Sequence, residues 1–197
     1  MAKIVSVVGN VGVGKTTLTK VLADHFGWMN CSEQHAERPF QEKFTRDRRY
    51  AVANQVDYLL LRAEQERDVR SGNIVGIFDG GLDMDMYVFS QLFLRRGYLD
   101  QEEFGLLQRL YNFIRGVQPG PDVVIHLSAD SAVTRQRYLA RQRLNIAQID
   151  DMDLINLLLE NFVSQIRTDF VIKFDGTNSS KGFPEIVRAL ENQKGLL

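Results

Sequence analysis

Gly9-Asn10-Val11-Gly12-Val13-Gly14-Lys15-Thr16 spells GxxxxGKT directly after the apolar run Ile4-Val5-Ser6-Val7-Val8. Glycines at this spacing let the backbone turn tightly enough for its N–H groups to point inward around phosphate oxygens. A helix opening at Lys15 would add the partial positive charge of its N-terminus. Lys15 would reach the β- and γ-phosphates, and the Thr16 hydroxyl would ligate magnesium. A plain structural turn can carry such glycines too, but a strand before, a helix after and the Lys-Thr pair together describe a phosphate cradle. Its residues are Gly9, Asn10, Val11, Gly12, Val13, Gly14, Lys15, Thr16 and the adjoining Thr17.

Other residues could act on a phosphate held there. Asp79 ends the apolar run Ile74-Val75-Gly76-Ile77-Phe78, where a carboxylate in a phosphate-loop protein meets magnesium or its water shell. The plainer reading of Asp79 is a solvated turn residue before Gly80-Gly81. Glu33 follows Trp28-Met29-Asn30-Cys31-Ser32 and could take a proton from an attacking hydroxyl; Glu37 is its rival, and either could be a surface acid. Arg135, Arg137, Arg141 and Arg143 crowd one helix and its end. Arg137 and Arg141, four apart, share a face. A guanidinium over a transferring phosphoryl group stabilises its spreading charge, although many such runs are only solvated basic faces.

These residues need a scaffold that brings the ends of several strands together. Short apolar runs alternate with helical patterns along the chain, which points to an α/β fold: a five-stranded parallel sheet with helices on both faces. Strands are expected over 3–8, 28–31, 74–78, 123–127 and 170–174, and helices over 15–26, 48–70, 84–97, 101–115, 132–143, 153–167 and 184–193. Near-continuous apolar stretches such as Val123-Val124-Ile125 suit strands buried on both faces. In open sheets of this kind ligands sit outside the carboxyl ends of the strands, where the residues above fall.

Bulk properties narrow the partner. At 197 residues, 44% of them apolar, the chain is long enough for one substantial core and short for two, so residues 1–197 are read as a single domain. No apolar stretch is long enough to span a bilayer. A strand beginning almost at once leaves no room for a signal peptide, and a lone cysteine, Cys31, cannot form an internal disulfide. Both suit the cytoplasm. A net charge of -1 argues against holding nucleic acid and for a small-molecule partner.

Taken in order, these segments resemble the deoxynucleoside kinase family, in particular its bacterial deoxyadenosine/deoxyguanosine branch, over nearly the whole chain. The phosphate loop matches, Glu33 falls where the family has its catalytic base, and Arg38-Pro39-Phe40 follows as a similar Pro-Phe does there. The stretch from Phe44 to Gln55 resembles the helix whose glutamine reads the base, which would make Gln55 a base reader. The stretch from Asp79 to Asp85 is in register with the family's Asp/Glu-Arg-Ser segment and puts Asp85 at a second base-contacting position. Arg137, Arg141 and Arg143 match the arginines of the lid. The resemblance implies ATP and Mg2+ as cofactors, transfer of the γ-phosphoryl group to a nucleoside 5′-hydroxyl with a purine favoured, and a homodimer formed through helices 84–97 and 101–115. Leu92-Phe93-Leu94, or Phe104, Leu107 and Tyr111, would supply its apolar face unless they belong to the core.

Three departures stand out. The family's Arg-Ser is here Gly80-Gly81, and losing an arginine that stabilises phosphoryl transfer can cost about 10³–10⁵ in rate. Phe44 stands where a tyrosine contacts the sugar 3′-hydroxyl, and Ile146 near where a lid glutamate holds the same group. Each lost partner is worth about 1–3 kcal/mol. Two other readings therefore remain beside a nucleoside kinase: a kinase of another small-molecule acceptor, and a nucleotide-binding accessory subunit that has lost transfer. Retention of Lys15, Thr16, Glu33, Asp79 and the lid arginines speaks against the last.

Overall fold

The computed structural model describes residues 1–31, 39–140, 147–166 and 171–192. Among them five strands form one parallel sheet in the order β2-β3-β1-β4-β5: β1 Ile4–Val8, β2 Met29–Asn30, β3 Gly76–Asp79, β4 Val123–Ser128 and β5 Val171–Asp175. The β-branched run of β1 lies at the centre and is buried along its whole length. Its alternate side chains feed two cores, as the period of a strand requires. Val5 and Val7 join Ile77, Ile125 and Leu127 under α1 (Lys15–Phe26) and α9 (Ser179–Glu191). Val8 and Val124 face α8 (Met152–Gln165), while Ile4 and Phe78 meet Val69 near the end of α3 (Ala51–Ser71).

A helical layer extends beyond the sheet. It comprises α2 (Pro39–Arg46), α3, and a rod made of α4 (Leu82–Met84), a π turn (Asp85–Ser90) and α5 (Gln91–Arg95), followed by α6 (Gln101–Val117). Phe44, Leu59, Phe93, Leu107 and Tyr111 form its core. An Asp100–Glu103 capping box starts α6, with Glu103 N–H donating to Asp100 at 2.7 Å and Asp100 N–H to Glu103 at 2.9 Å. Strand β4 leads into α7 (Ser131–Leu139), whose Ala132 N–H donates to the side chain of Asp130 at 2.8 Å.

Several expectations shift. Helix α2 lies where none is expected, with Pro39 at its first position, where a missing N–H costs nothing. The helix expected from 48 begins as a 3-10 turn, Arg48–Tyr50, because Asp47 accepts Arg49 N–H at 3.0 Å and holds the chain off the helical path. The helix expected over 84–97 is the interrupted rod, and Asp79 is the last residue of β3 rather than the first after it. Pro184 lies inside α9 rather than at its start.

Candidate active site

The loop between β1 and α1 has the form that its glycines imply. Gly12 and Gly14 take φ of +84° and +108°, which side chains disfavour, and a Cβ on Gly12 would meet Thr134 O at 2.7 Å. The loop thus lies hard against α7. Lys15 Nζ donates to Gly9 O at 2.9 Å and Asn10 O at 3.1 Å, and lies 4.0 Å from Asp79 Oδ1. Thr16 Oγ1 donates to Asp79 Oδ2 at 2.5 Å. Ammonium, hydroxyl and carboxylate therefore meet at one point, at the carboxyl ends of β1 and β3, as the sequence leads one to expect.

Two side chains tie the loop to its surroundings. Asn10 Nδ2 donates to Met152 O at 2.8 Å and Asn156 Oδ1 at 2.7 Å, while its Oδ1 accepts Val11 N–H at 2.7 Å. Arg137 donates to Val13 O at 3.1 Å, Gly176 O at 3.4 Å and Thr177 O at 3.3 Å. Arg137 is thus beside the cradle, with its guanidinium engaged on backbone carbonyls of the loop and of the β5–α9 turn.

On the other side of Asp79 lies a buried polar cluster. Arg62, 4% exposed, donates from Nη2 to Asp79 O at 2.9 Å, from Nη1 to Gln65 Oε1 at 3.3 Å and from Nε to Asp85 Oδ2 at 3.3 Å. Burial pushes the Asp85 carboxyl above the ordinary carboxylate range, and Arg62 pulls it back. Gln55, also buried, accepts at Oε1 from Ser90 Oγ at 3.0 Å. Ser90, which also lies 3.0 Å from Asp85 O, thus links the Gln55 side chain to the Asp85 backbone, and Arg62 lies between Asp85 and Asp79. Arg62 lies seven residues after Gln55, two turns along the same face of α3, and that spacing was the signal available.

Gly80 and Gly81 have φ of +84° and +130°. Gly80 N–H donates to Val7 O at 2.9 Å, its carbonyl accepts Ser6 Oγ, and a Cβ on it would point to Met84 Sδ at 3.6 Å and Arg62 Nη2 at 3.7 Å. Of the arginines Arg48, Arg62 and Arg96, Arg96 is paired with Asp151, and Arg48 stacks over Phe44 and Tyr98 at 4.6 and 4.3 Å. Arg62 alone of these three borders Gly80. Phe44 is 1% exposed and stacked on Phe93 at 4.6 Å, so it serves the helical core beside the cluster. Glu33, Glu37, Arg38, Arg141, Arg143 and Ile146 lie outside the described residues.

The strand order, the GKT loop and the acid on β3 define a P-loop kinase fold. Within that class the chain belongs to the deoxynucleoside kinase family, whose model matches residues 5–192. It is 28% identical over 130 residues to the deoxyadenosine/deoxycytidine kinase of Bacillus subtilis (strain 168), an alignment taking in 64% of this chain and 60% of that relative. It is 26% identical over 144 residues to the deoxyadenosine kinase of Dictyostelium discoideum, across 71% of this chain and 57% of the relative. The aligned part thus spans less than two thirds of either relative. Among solved structures, deoxyadenosine kinase from M. mycoides with bound dCTP superposes with a TM-score of 0.82 at 21% identity, covering 96% of this chain and all of that one. The same enzyme with dCMP and dCDP gives 0.83 at 22% identity, over 96% of this chain and 100% of that chain.

Proposed function

We propose that this chain transfers the γ-phosphoryl group of ATP to the 5′-hydroxyl of a deoxynucleoside. The observation that carries this reading is the junction at Asp79. Its carboxylate meets Thr16 and Lys15, while its carbonyl accepts from Arg62, which also holds Asp85. Phosphate-handling groups and a buried polar cluster thus adjoin across one residue, as a molecule with a polar base at one end and a primary hydroxyl at the other requires. Membership of the family and the names of the two curated relatives support the same reading.

The loop N–H groups and Lys15 hold the phosphates. The hydroxyl of Thr16 and the carboxylate of Asp79 are hard oxygen donors of the kind magnesium takes, and the ion would neutralise charge on the phosphates. Glu33 is the residue we assign to receive the hydroxyl proton as the O5′–Pγ bond forms and the bond from Pγ to the β-phosphate oxygen breaks, releasing ADP. Arg137, Arg141 and Arg143 cover the transferring group. Gln55 and Asp85, the latter braced by Arg62, read the base. The purine preference suggested by the sequence gains no separate support, since the Bacillus relative is named for both deoxyadenosine and deoxycytidine.

Gly80-Gly81 and the buried Phe44 favour one further reading, a kinase whose acceptor is gripped differently at the sugar. ADP release from Mg-ATP against a panel of deoxynucleosides, ribonucleosides and their monophosphates decides between them, with Lys15→Ala as the blank. Turnover on a deoxynucleoside that Glu33→Gln abolishes without loss of ATP binding supports the first reading. Activity confined to other acceptors supports the second, and none at all with ATP still bound leaves a binding subunit.

Two coarser assignments complete the proposal. We place the protein in the cytoplasm, on the single cysteine; no helix among the described residues is long and apolar enough to cross a membrane. A homodimer is also proposed, but through a different face from the one suggested by sequence. Phe93, Phe104, Leu107 and Tyr111 turn inward, whereas Leu106, Phe113 and Val117 on α6 are 51%, 73% and 70% exposed.

A further inference from the structure

The rod between β3 and α6 changes its hydrogen-bond pattern at Asp85–Ser90, a π turn. Such turns are rare and recur at functional sites. This one puts the Ser90 hydroxyl, fully buried, 3.0 Å from the backbone oxygen of Asp85 and 3.0 Å from Gln55 Oε1 on α3. One residue thereby touches the Gln55 carboxamide and the backbone of Asp85, the two residues assigned to the base.

The chemistry of the three groups makes Ser90 more than packing. A carboxamide has an accepting end and a donating end, and the torsion that exchanges them is soft and nearly two-fold. A hydroxyl has a single hydrogen. The π pattern pairs each carbonyl with the N–H five places on, which for Asp85 is that of Ser90 itself. Asp85 O thus has a second donor besides the hydroxyl, whereas among the described residues the Ser90 hydroxyl is the donor to Gln55 Oε1, and we assign the Ser90 hydrogen to that bond. That bond fixes which end of Gln55 lies toward Ser90 and the Asp85 backbone.

Resting on the proposed kinase reading, we propose that Ser90 determines base specificity by pinning the carbonyl end of Gln55, so that Gln55 Oε1 and the Asp85 carboxylate together accept from an exocyclic amine. The second lone pair of Oε1 remains for that amine, and Nε2 donates to the neighbouring ring nitrogen. Adenine and cytosine offer this edge, whereas guanine and thymine present a carbonyl where the amine would be. The Arg62 guanidinium is held by Gln65, Asp79 and Asp85, which uses three of its five N–H hydrogens.

The test compares kcat/KM for deoxyadenosine, deoxycytidine, deoxyguanosine and thymidine in the wild type, Ser90→Ala and Ser90→Cys, the last replacing the hydroxyl without opening a cavity. The wild type should favour the two amine-bearing substrates. In both variants that preference should fall about tenfold, the worth of one buried hydrogen bond, and mainly through KM. An equal fall on all four substrates would mark a packing role and overturn the proposal. So would an unchanged preference, or a wild type that prefers the carbonyl bases. Absence of turnover on all four would sink the kinase reading alone; the same preference is then read from nucleoside Kd values by calorimetry, where no difference between wild type and variants overturns the role of Ser90.

Discussion

Asp85 is enclosed in the protein and still carries an acid, which only a matched partner makes tolerable. Replacing that partner, Arg62→Met, leaves a buried carboxyl facing apolar atoms and should cost about 3–5 kcal/mol of stability. Urea unfolding measures the loss, and an unchanged midpoint would show that Asp85 does not depend on Arg62. Gly80 makes a second case. Its φ of +84° lies where a side chain costs about 1–2 kcal/mol, and an arginine there would point its chain at Arg62. Gly80→Arg, which restores the residue type common in the family, should therefore lower Tm by about 2–8 °C. A rise in Tm together with faster turnover would refute this. At this scale the sequence was most legible where chemistry needs a fixed spacing: the cradle, Lys15, Thr16 and Asp79 all stand where the motif puts them. Arg62 escaped notice because an arginine amid a mostly polar helix looks exposed, and only contact with Asp79 and Asp85 reveals otherwise.

Among the elements, β4 carries a group whose effect can be measured. His126 is buried against a cavity of about 260 Å³ that also borders Asn10, Asn156 and Glu160. Burial holds its imidazole below the ordinary value of 6.5, Glu160 raises it and Lys173 lowers it. The unfolded chain therefore binds the proton more readily than the folded one through that interval. Stability should rise with pH up to about 6.5 and fall as pH drops below it, by at most about 1.4 kcal/mol per pH unit from this group. Melting curves across pH 5–8 should show the slope reduced in His126→Gln; an equal slope in both would assign it elsewhere. Strands were readable in the sequence to within two residues, most plainly the central ones, whose two faces are both apolar, as in Val123-Val124-Ile125. The rod 82–95 was read as one helix, since periodicity over so few residues does not separate 3.6 from the wider π repeat.

For the molecule as a whole, the two faces of α6 do different work. Its inner face is clamped by charge: Arg115 donates to Glu66 at 2.6 and 3.1 Å and to Asp83 at 2.7 Å, and Asp83 accepts the Tyr111 hydroxyl at 2.8 Å. Its outer face carries Leu106, Phe113 and Val117. If that stripe joins two copies, Phe113→Glu should shift sedimentation from dimer to monomer at micromolar concentration while the far-ultraviolet dichroism stays that of the wild type. A wild type that is already monomeric under those conditions would exclude this interface. Exposed apolar residues of this kind are not separable from core ones by sequence alone: Leu107 and Phe113 belong to one helix and differ only in which way the chain turns them.

The sheet order also sets a timetable for synthesis. Strand β1 is made before both of its neighbours, β3 and β4, so one of its edges stays open until residues 123–128 have been made. A nascent chain ending between residues 80 and 122 holds the complete phosphate-loop motif but only one of the two flanking strands that support it. Phosphate binding can thus support folding of the loop on both sides only once residue 128 has been made.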